Sequence, residues 1–350
     1  MTDVINIDLN DAQWMQATLP VKDGGLGIRS VTMLAPSAFL ASAAGTLQTQ
    51  DSILPARLHD RVDASTANSL VAWKKLASEE TPAESKQHRQ KEWDKINTRK
   101  IAADLLSRAN DPLDQARLRA VTEPHAGDWL LAPPIASIGL RMTDETIRVA
   151  TGMRLGTHIC EPHVCPCGSW VESRGTHCLS CRHSAARIAR HNAINDIIWR
   201  AFQRAKIPAT KEPSNLMRTD NKRPDGVTLV PWKQGKCLAW DVTMPDTYAA
   251  SHLHQSATKA GQAASNAAST KTQKYEGITQ THLFTPIAIE TAGVWDRQAS
   301  DFINELGKRI TVITGDRKES NYLFQQISVA IQRGNMLSFE RSFDTEERQD

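Results

Sequence analysis

The sequence has 350 residues, 40% of them hydrophobic, and its 42 basic against 39 acidic side chains leave a formal net charge of +3. A chain of this length and composition can bury the cores of two domains, which excludes a wholly disordered protein. Apolar runs such as MLAPSAFLASAAGTL are too short to cross a bilayer, so we expect no transmembrane helix and no membrane partner. The N-terminus, MTDVINIDLNDAQ, lacks the pattern of a secretory signal, which predicts an intracellular, reducing location.

The N-terminal part of the chain, residues 1–128, is predicted to be mainly helical. It contains the motif LPVKDGGLGIRS, and the Ala/Ser-rich segment after this motif predicts a short helical hairpin. The charged run ESKQHRQKEWDKINTRK predicts a helix with a solvent-exposed face. Two prolines in WLLAPPIAS, residues 129–137, indicate a linker into the second half of the chain.

Five of the six cysteines lie within CEPHVCPCGSWVESRGTHCLSC, residues 160–181. Clustered cysteines in a reducing compartment are typical of a metal site, and pairs of Cys and His ligands on either side of a loop suit tetrahedral zinc. We expect a structural zinc ion, with no open position for a catalytic water. The expected ligands are Cys165, Cys167, His177 and Cys181. Neighbouring side chains could substitute for one of them, namely Cys160, His163, Cys178 and His183.

The segment RHSAARIARHNAINDIIWRAFQRAKIP, which begins at Arg182, predicts an amphipathic helix that Pro208 ends. Residues 174–211 contain eight Lys or Arg residues against one acid, Asp196. Positive charge concentrated on one helix favours the binding of nucleic-acid phosphates, although a solvated helix face has the same pattern. The expected nucleic-acid-binding side chains are Arg182, Arg187, Arg190, Arg200 and Arg204.

The stretch KRPDGVTLVPWKQGKCLAWDVTMPDT, residues 222–247, predicts a β-hairpin centred near residue 233. In an antiparallel pair with that centre, Asp225 lies opposite Asp241. Pro-Asp-Gly is also a common turn, but a carboxylate between Trp240 and Val242 in an apolar strand needs a partner. Two adjacent carboxylates suit Mg²⁺, so we expect both aspartates to bind this ion and to hydrolyse phosphodiesters.

The chain after Asp246 predicts a long Ala-rich helix, which ends near Lys271, Lys274 and Tyr275. The strand HLFTPIAIETAGVW and the helix DRQASDFINELGKRITVIT follow it. The order of helix, hairpin, helix and strand predicts an α/β fold of the nuclease type. A lysine near the acids can orient the attacking water and stabilise charge on the phosphate.

These motifs together resemble the C-terminal region of non-LTR retrotransposon polyproteins that carry a CCHC zinc knuckle and a restriction-like endonuclease of the PD-(D/E)xK type. The matching residues are the four expected zinc ligands, Arg223-Pro224-Asp225, Asp241, and Lys271 with Lys274 and Tyr275. The N-terminal stretch QATLPVKDGGLGIRSVTMLAPSAFLAS is similar to the segment that follows the reverse-transcriptase core in such elements. The resemblance implies domains at 1–128, 129–181 (linker and knuckle) and 182–335 (endonuclease), with a polar tail at 336–350.

The resemblance implies a nuclear enzyme that nicks target DNA, with element RNA and an upstream polymerase region as further partners. The chain contains no Asp-Asp dipeptide, so we expect no polymerase active site within it. Thr243 stands where the usual motif has a lysine, so Lys271 must supply the ammonium group from the helix. The alternative is a catalytically inactive, retroelement-derived zinc-knuckle protein that only binds nucleic acid.

Overall fold

A computed structural model describes residues 6–55, 63–77, 80–213, 216 and 223–343. The chain is a mixed α/β protein with two small sheets. It divides into two compact units, Asn10–Arg108 and the remainder, Met1–Leu9 with Ala109–Asp350. The boundary precedes the expected one at residue 128, because helix α5 (Pro112–Val121) packs on helix α9 (Ala250–Thr258) of the larger unit.

The smaller unit is helical in the part that the structure describes. Its helices are α1 (Asp11–Thr18), α2 (Val31–Ile53), α3 (Ala64–Leu76) and α4 (Gln90–Arg108). Trp73 of α3 meets Trp93 of α4 edge to face, with ring centroids 5.0 Å apart, in a core shared with α2. The expectation of a helical hairpin after the LPVKDGG motif is wrong, since α2 is one continuous helix with Pro36 inside it.

The larger unit contains a four-stranded sheet in the order β3 (Ala209–Lys211), β4 (Gly226–Thr228), β5 (Leu238–Thr243) and β6 (Leu283–Ala288). The first three strands are antiparallel neighbours, as the sequence predicted for β4 and β5. Strand β6 runs parallel to β5, and such a pair needs a long crossover connection. Helices α9 and α10 (Gln262–Lys274) form that crossover.

The long helix expected after Asp246 is in fact these two helices. Gly261, with φ of +77°, separates them, a backbone conformation that glycine adopts without steric cost. The break allows α10 to turn back and pack against β5 and β6.

Three long helices cover the other side of the sheet, namely α8 (Ala186–Arg204), α11 (Arg297–Thr314) and α12 (Glu319–Glu340). Every second residue of β5, from Leu238 through Trp240 to Val242, is buried in their shared core. Phe202 of α8 packs on the Trp240 ring. Ile188, in the first turn of α8, is 67% exposed.

The proline-containing segment 129–137 packs into the larger unit at Trp129, whereas Ile135 is 45% exposed. Trp129 is buried with Leu140, Ala150 of helix α6 (Asp144–Leu155) and Val329 of α12. The polar tail was expected to begin at residue 336. This boundary is too early, because α12 continues to Glu340 and Phe339 is buried. Residues 344–350 lie outside the described part. Among the described helices, none combines the length and hydropathy needed to span a bilayer.

Candidate metal centre and acidic site

The expected zinc knuckle, residues 165–181, includes the turn of a two-stranded hairpin of β1 (His163–Val164) and β2 (Trp170–Val171). The turn between the strands is closed by hydrogen bonds from the Cys165 amide to the Ser169 carbonyl (2.9 Å) and from the Gly168 amide to the Cys165 carbonyl (2.7 Å). Gly168 has φ of +84°, which a side chain would disfavour. The short helix α7 (His177–Ser180) then presents His177, and Cys181 follows it directly.

The four expected zinc ligands come together at this point. Their ligand atoms, from Cys165, Cys167, His177 and Cys181, all lie within 4.8 Å of one another. The Sγ atoms of Cys165 and Cys181 are 3.8 Å apart, and Cys167 Sγ is 3.2 Å from His177 Nε2. Three thiolates and one imidazole within this distance could bind a metal such as zinc.

Three of the four neighbouring side chains that could have substituted for a ligand, Cys160, His163 and Cys178, have other contacts. Cys160 Sγ lies 3.6 Å from the Glu172 carbonyl oxygen, to which it can donate. The His163 ring stacks on Phe343 and contacts Ser342 Oγ at 3.0 Å. Cys178 is buried in the apolar cluster beside the site, whereas His183 is exposed.

The knuckle is packed onto the end of α12. Val171 and Cys178 are fully buried against Phe339. Gly175 brings the backbone so near to Phe339 that a Cβ atom there would lie 3.1 Å from the ring. The metal site is therefore part of the core of the larger unit.

Four of the five arginines expected to bind nucleic acid are exposed, namely Arg182, Arg187, Arg200 and Arg204. Arg204 forms an ion pair with Glu319. Arg200 and Arg204 also line a groove of about 990 Å³ between α8, α12 and the segment 133–140.

The expectation that Arg190 binds nucleic-acid phosphates is wrong. Arg190 is only 2% exposed and cannot contribute to a phosphate-binding surface. Its Nη1 donates to Asn335 Oδ1 of α12 at 2.7 Å, and its methylenes pack where Gly334 leaves space. Burial lowers the pKa of the Arg190 guanidinium to about 10. The residue joins α8 to α12 inside the core.

The acidic site lies where β4 and β5 run side by side. Gly226 pairs with Trp240 and Val227 with Ala239, so the same register, continued by one residue, sets Asp225 opposite Asp241. A Cβ atom on Gly226 would lie 2.0 Å from the Trp240 ring, which explains the glycine of the Pro-Asp-Gly motif. Asp225 Oδ2 accepts a hydrogen bond from the Val242 amide at 2.6 Å, so its side chain holds the two strands together.

Asp241 is 2% exposed and contacts two side chains at the end of α10, those of Lys271 and Tyr275. Lys271 Nζ lies 2.5 Å from Asp241 Oδ1. The Tyr275 hydroxyl lies 2.7 Å from both Asp241 Oδ2 and the Arg223 carbonyl oxygen, and it can donate to either. Lys274 Nζ donates to this hydroxyl at 3.0 Å. The turn of α10 thus brings Lys271, Lys274 and Tyr275 to the carboxylate.

His191 is a member of this site that the sequence interpretation missed. Its Nε2 lies 2.9 Å from Asp225 Oδ2, and this hydrogen bond raises the pKa of the imidazole above its ordinary value. Asn195, one turn later, donates to the Asp225 carbonyl oxygen at 3.2 Å and accepts from Trp240 Nε1 at 2.8 Å. The spacing of 191, 195, 198 and 202 along one face of α8 was the available indication.

Comparison of the sequence with protein-family models and with curated proteins gives no significant match.

Proposed function

We propose that the larger unit is a metal-dependent DNA endonuclease of the PD-(D/E)xK type, which nicks DNA by phosphodiester hydrolysis. The observation that carries this proposal is the pairing of Lys271 Nζ with the buried Asp241 carboxylate, at 2.5 Å, beside Asp225 on the neighbouring strand. Two carboxylates and a lysine are the groups that hydrolysis of a phosphodiester with a divalent ion requires.

The order of elements also supports the proposal. Helix α8 precedes the antiparallel strands β3, β4 and β5, and the crossover through α9 and α10 leads to the parallel strand β6. The acids lie on adjacent strands and the lysine on the crossover helix. An α/β core of this kind, with the Cys and His cluster before it, agrees with the retrotransposon-type arrangement.

Carboxylate oxygens are the donors that a hard cation such as Mg²⁺ prefers. Asp241 Oδ1 is buried, and its contact among the described residues is the ion pair with Lys271. Asp225 is 17% exposed at its side chain and offers a second carboxylate. Oxygen ligands of this kind suit Mg²⁺, which, when bound, would polarise the phosphate and lower the pKa of the attacking water.

The surrounding side chains have separate roles in this proposal. Lys271 donates hydrogen bonds to the attacking water or to the scissile phosphate. Tyr275 donates a hydrogen bond to Asp241 Oδ2 and so positions this carboxylate. Lys274, which contacts the Tyr275 hydroxyl, adds positive charge near the site. His191 and the Val242 amide fix Asp225 through its Oδ2. Lys271 takes the place of the strand lysine that Thr243 does not provide.

The partners follow from the same proposal. The substrate is a DNA target, and the exposed arginines of α8 supply nonspecific phosphate contacts. Element RNA, an upstream polymerase region and a nuclear location belong to the retrotransposon interpretation. The zinc knuckle has a structural role in it.

A nicking assay on supercoiled plasmid with Mg²⁺ tests the proposal. The parent chain is expected to yield the open circle, whereas Asp241→Asn and Asp225→Asn should reduce the rate by at least about 100-fold. Asp301→Asn is the matched control, because Asp301 is exposed on α11, where it pairs with Arg297. Equal rates for the parent and Asp241→Asn would refute the assignment of this site.

A second candidate is an inactive protein that only binds nucleic acid through the knuckle and α8. The observation that favours it is the internal neutralisation of the site, in which Lys271 pairs with Asp241 and His191 with Asp225. Titration of the chain with Mg²⁺ or Mn²⁺ separates the two functions. Absence of binding, with oligonucleotide affinity intact, would favour the inactive protein.

A further inference from the structure

A long groove with three walls runs along α8 in the larger unit, and its volume is about 990 Å³. The first wall is the stripe of α8 from Ala189 to Arg204. The second wall is the stripe of α12 from Tyr322 to Leu337, and the third is the segment 133–140. At the rise of an α-helix each stripe is about 22 Å long, which is the length of about four helical turns.

Apolar side chains make up most of the lining of the groove. Ile197 of α8 and Ala330 of α12 are part-buried there, whereas Ala193 of α8 is exposed. On the third wall Ile135 is 45% exposed and Ile138 is 53% exposed. An exposed apolar surface of this extent favours the burial of further apolar groups against it.

The two helices that form the groove are antiparallel. Arg190, near the start of α8, donates to Asn335 towards the end of α12. Arg204, at the end of α8, pairs with Glu319 at the start of α12. Residue 333 of α12 therefore lies towards the opposite end of the groove from residues 200–204 of α8.

Positive charge is present at both ends of the groove. Arg200 is exposed at one end and forms no ion pair with any residue that the structure describes. Arg333 is exposed at the other end, where it also donates to the Arg141 carbonyl oxygen. The acid that lines the groove, Asp196, pairs with Lys211. The helical rise puts Arg200 and Arg333 roughly 10–15 Å apart along the groove, so a ligand that neutralises both must carry separated negative charges.

We propose that this groove binds an acidic amphipathic helix of a partner protein. The apolar face of that helix would cover the stripes of α8 and α12, and its carboxylates would lie beside Arg200 and Arg333. A fatty acid has a single carboxylate and would leave one end of the groove uncompensated. The phosphates of a nucleic acid gain nothing from the apolar lining, whereas an amphipathic helix uses both the lining and the separated charges. Arg182 and Arg187 do not line the groove and remain available for the proposed phosphate contacts.

This inference does not depend on the hydrolytic site. Binding of a helix can be measured in the Asp241→Asn variant without Mg²⁺. Failure of the nicking assay would leave helix binding intact, and absence of helix binding would leave the nuclease proposal intact.

Fluorescence anisotropy with three labelled peptides of roughly 18 residues tests the chemistry of the occupant. The first peptide has leucines at i, i+3, i+4 and i+7 with glutamates beside them. The second has lysines in place of the glutamates, and the third has the composition of the first in scrambled order. The parent protein should bind the first peptide at least about tenfold more tightly than either of the others. Equal affinities for all three, or no binding of the first at roughly 100 µM, would overturn the proposal.

Ala193→Glu locates the binding surface without a change to the core, because Ala193 is exposed on α8 and lines the groove. The introduced carboxylate should weaken binding of the acidic peptide by at least about tenfold. Gln203→Glu is the matched control, since it adds the same charge at an exposed position of α8 outside the groove. Its effect should be below about threefold. Equal losses in the two variants would mean that net charge alone attracts the peptide, which would refute the groove as its site.

Arg200→Glu tests the pairing of charges. It should weaken binding of the acidic peptide and strengthen binding of the lysine peptide. A purely structural role of Arg200 would change both affinities in the same direction, and that result would contradict the proposal. Palmitate and duplex DNA are the competing ligands. Tighter binding of either one than of the acidic peptide, with the same loss in Ala193→Glu, would assign the groove to that ligand instead.

Discussion

Lys271 Nζ lies 2.5 Å from Asp241 Oδ1, and the carboxylate of this pair is almost completely removed from solvent. A buried carboxylate without a partner is costly, and truncation of one member of a buried pair typically destabilises a protein by about 3–5 kcal/mol. The lysine of this pair is 26% exposed, which reduces the expected cost. The ion pair therefore stabilises the junction of α10 with β5 and also defines the proposed active site.

Lys271→Met is expected to lower the free energy of unfolding by about 2 kcal/mol or more, because the buried Asp241 carboxylate would lose its ion-pair partner. Lys274→Met is the matched control. Lys274 contacts the hydroxyl and the ring of Tyr275 but no carboxylate among the described residues, so the expected change is below about 1 kcal/mol. Urea denaturation measures both values. Adding Asp241→Asn to Lys271→Met should recover most of the loss, and equal costs for the two lysines would contradict this account.

The zinc knuckle gives a second prediction, that purified protein contains one zinc ion per chain by elemental analysis. Cys165→Ser and Cys181→Ser should each abolish zinc binding and lower the melting temperature strongly, because the metal joins residues that the sheet alone does not hold together. Cys237→Ser is the control, since this half-buried cysteine lies outside the cluster. A zinc-free parent, or a melting temperature unchanged by chelation, would contradict the metal assignment.

Gly226 permits the close approach of the Trp240 ring that aligns Asp225 with Asp241. Gly226→Ala should therefore destabilise the protein by about 1–3 kcal/mol through overpacking, and it should also reduce nicking. In a Trp240→Phe background the cost should fall by at least about 1 kcal/mol, since the phenyl ring leaves room for the methyl group. Gly45→Ala, in an uncrowded position of α2, is expected to change stability by less than about 1 kcal/mol. An unchanged cost in the double mutant would exclude the ring as the cause.

The parts of the site that sequence interpretation predicted are those whose geometry is set locally. The spacing from Cys165 to Cys181 covers one hairpin and one short helix, and the register of Asp225 against Asp241 follows from a single hairpin. Each arrangement depends on few residues that are near one another in the sequence, so periodicity and turn chemistry were sufficient.

The parts that were missed depend on how distant elements pack. The burial of Arg190 requires Gly334 and Asn335 of α12, and the role of His191 requires the direction in which α8 meets the sheet. An arginine at one position of a basic helix has the same sequence pattern whether it is exposed or buried. The break at Gly261 was missed because alanines on both sides favour helix.

The distinction between buried and exposed arginines on α8 can be measured directly. Arg190→Ala should lower the free energy of unfolding by about 2–4 kcal/mol, because it leaves Asn335 Oδ1 without its donor and opens a cavity. Arg187→Ala should change stability by less than about 0.5 kcal/mol and instead weaken nucleic-acid binding, with the salt slope reduced by about one unit on duplex DNA. Salt-dependent binding curves and urea denaturation together test this. If both variants weakened nucleic-acid binding to a similar extent, the assignment of Arg190 to the core would be wrong.

The last prediction concerns Glu290, which is fully buried beside β6. Its Oε1 accepts from the Ala264 amide at 3.1 Å and its Oε2 from Thr247 Oγ1 at 3.0 Å, while the carboxylate of Asp246 is a further negative group near it. Burial, with a smaller contribution from Asp246, raises the pKa of the Glu290 carboxyl above its ordinary value of 4.5. A raised folded-state pKa means that the neutral acid contributes stability below pH 4.5 and that this contribution is lost as the pH rises through the folded value.

In Glu290→Gln this loss of stability with rising pH should be absent, since an amide of the same shape has no charge to bury. The amide can accept a hydrogen bond from the Ala264 amide and donate one to Thr247 Oγ1. The free energies of unfolding of parent and variant should be similar near the ordinary carboxyl pKa. Above it they should diverge in favour of the variant, by up to about 1.4 kcal/mol per pH unit within the titration window. Protonation of the zinc ligands at low pH affects both proteins alike and cancels in the difference. Glu305→Gln, at an exposed ion pair on α11, should give a nearly flat difference curve. Parallel stability curves for the parent and Glu290→Gln would show that Glu290 is charged within the folded core.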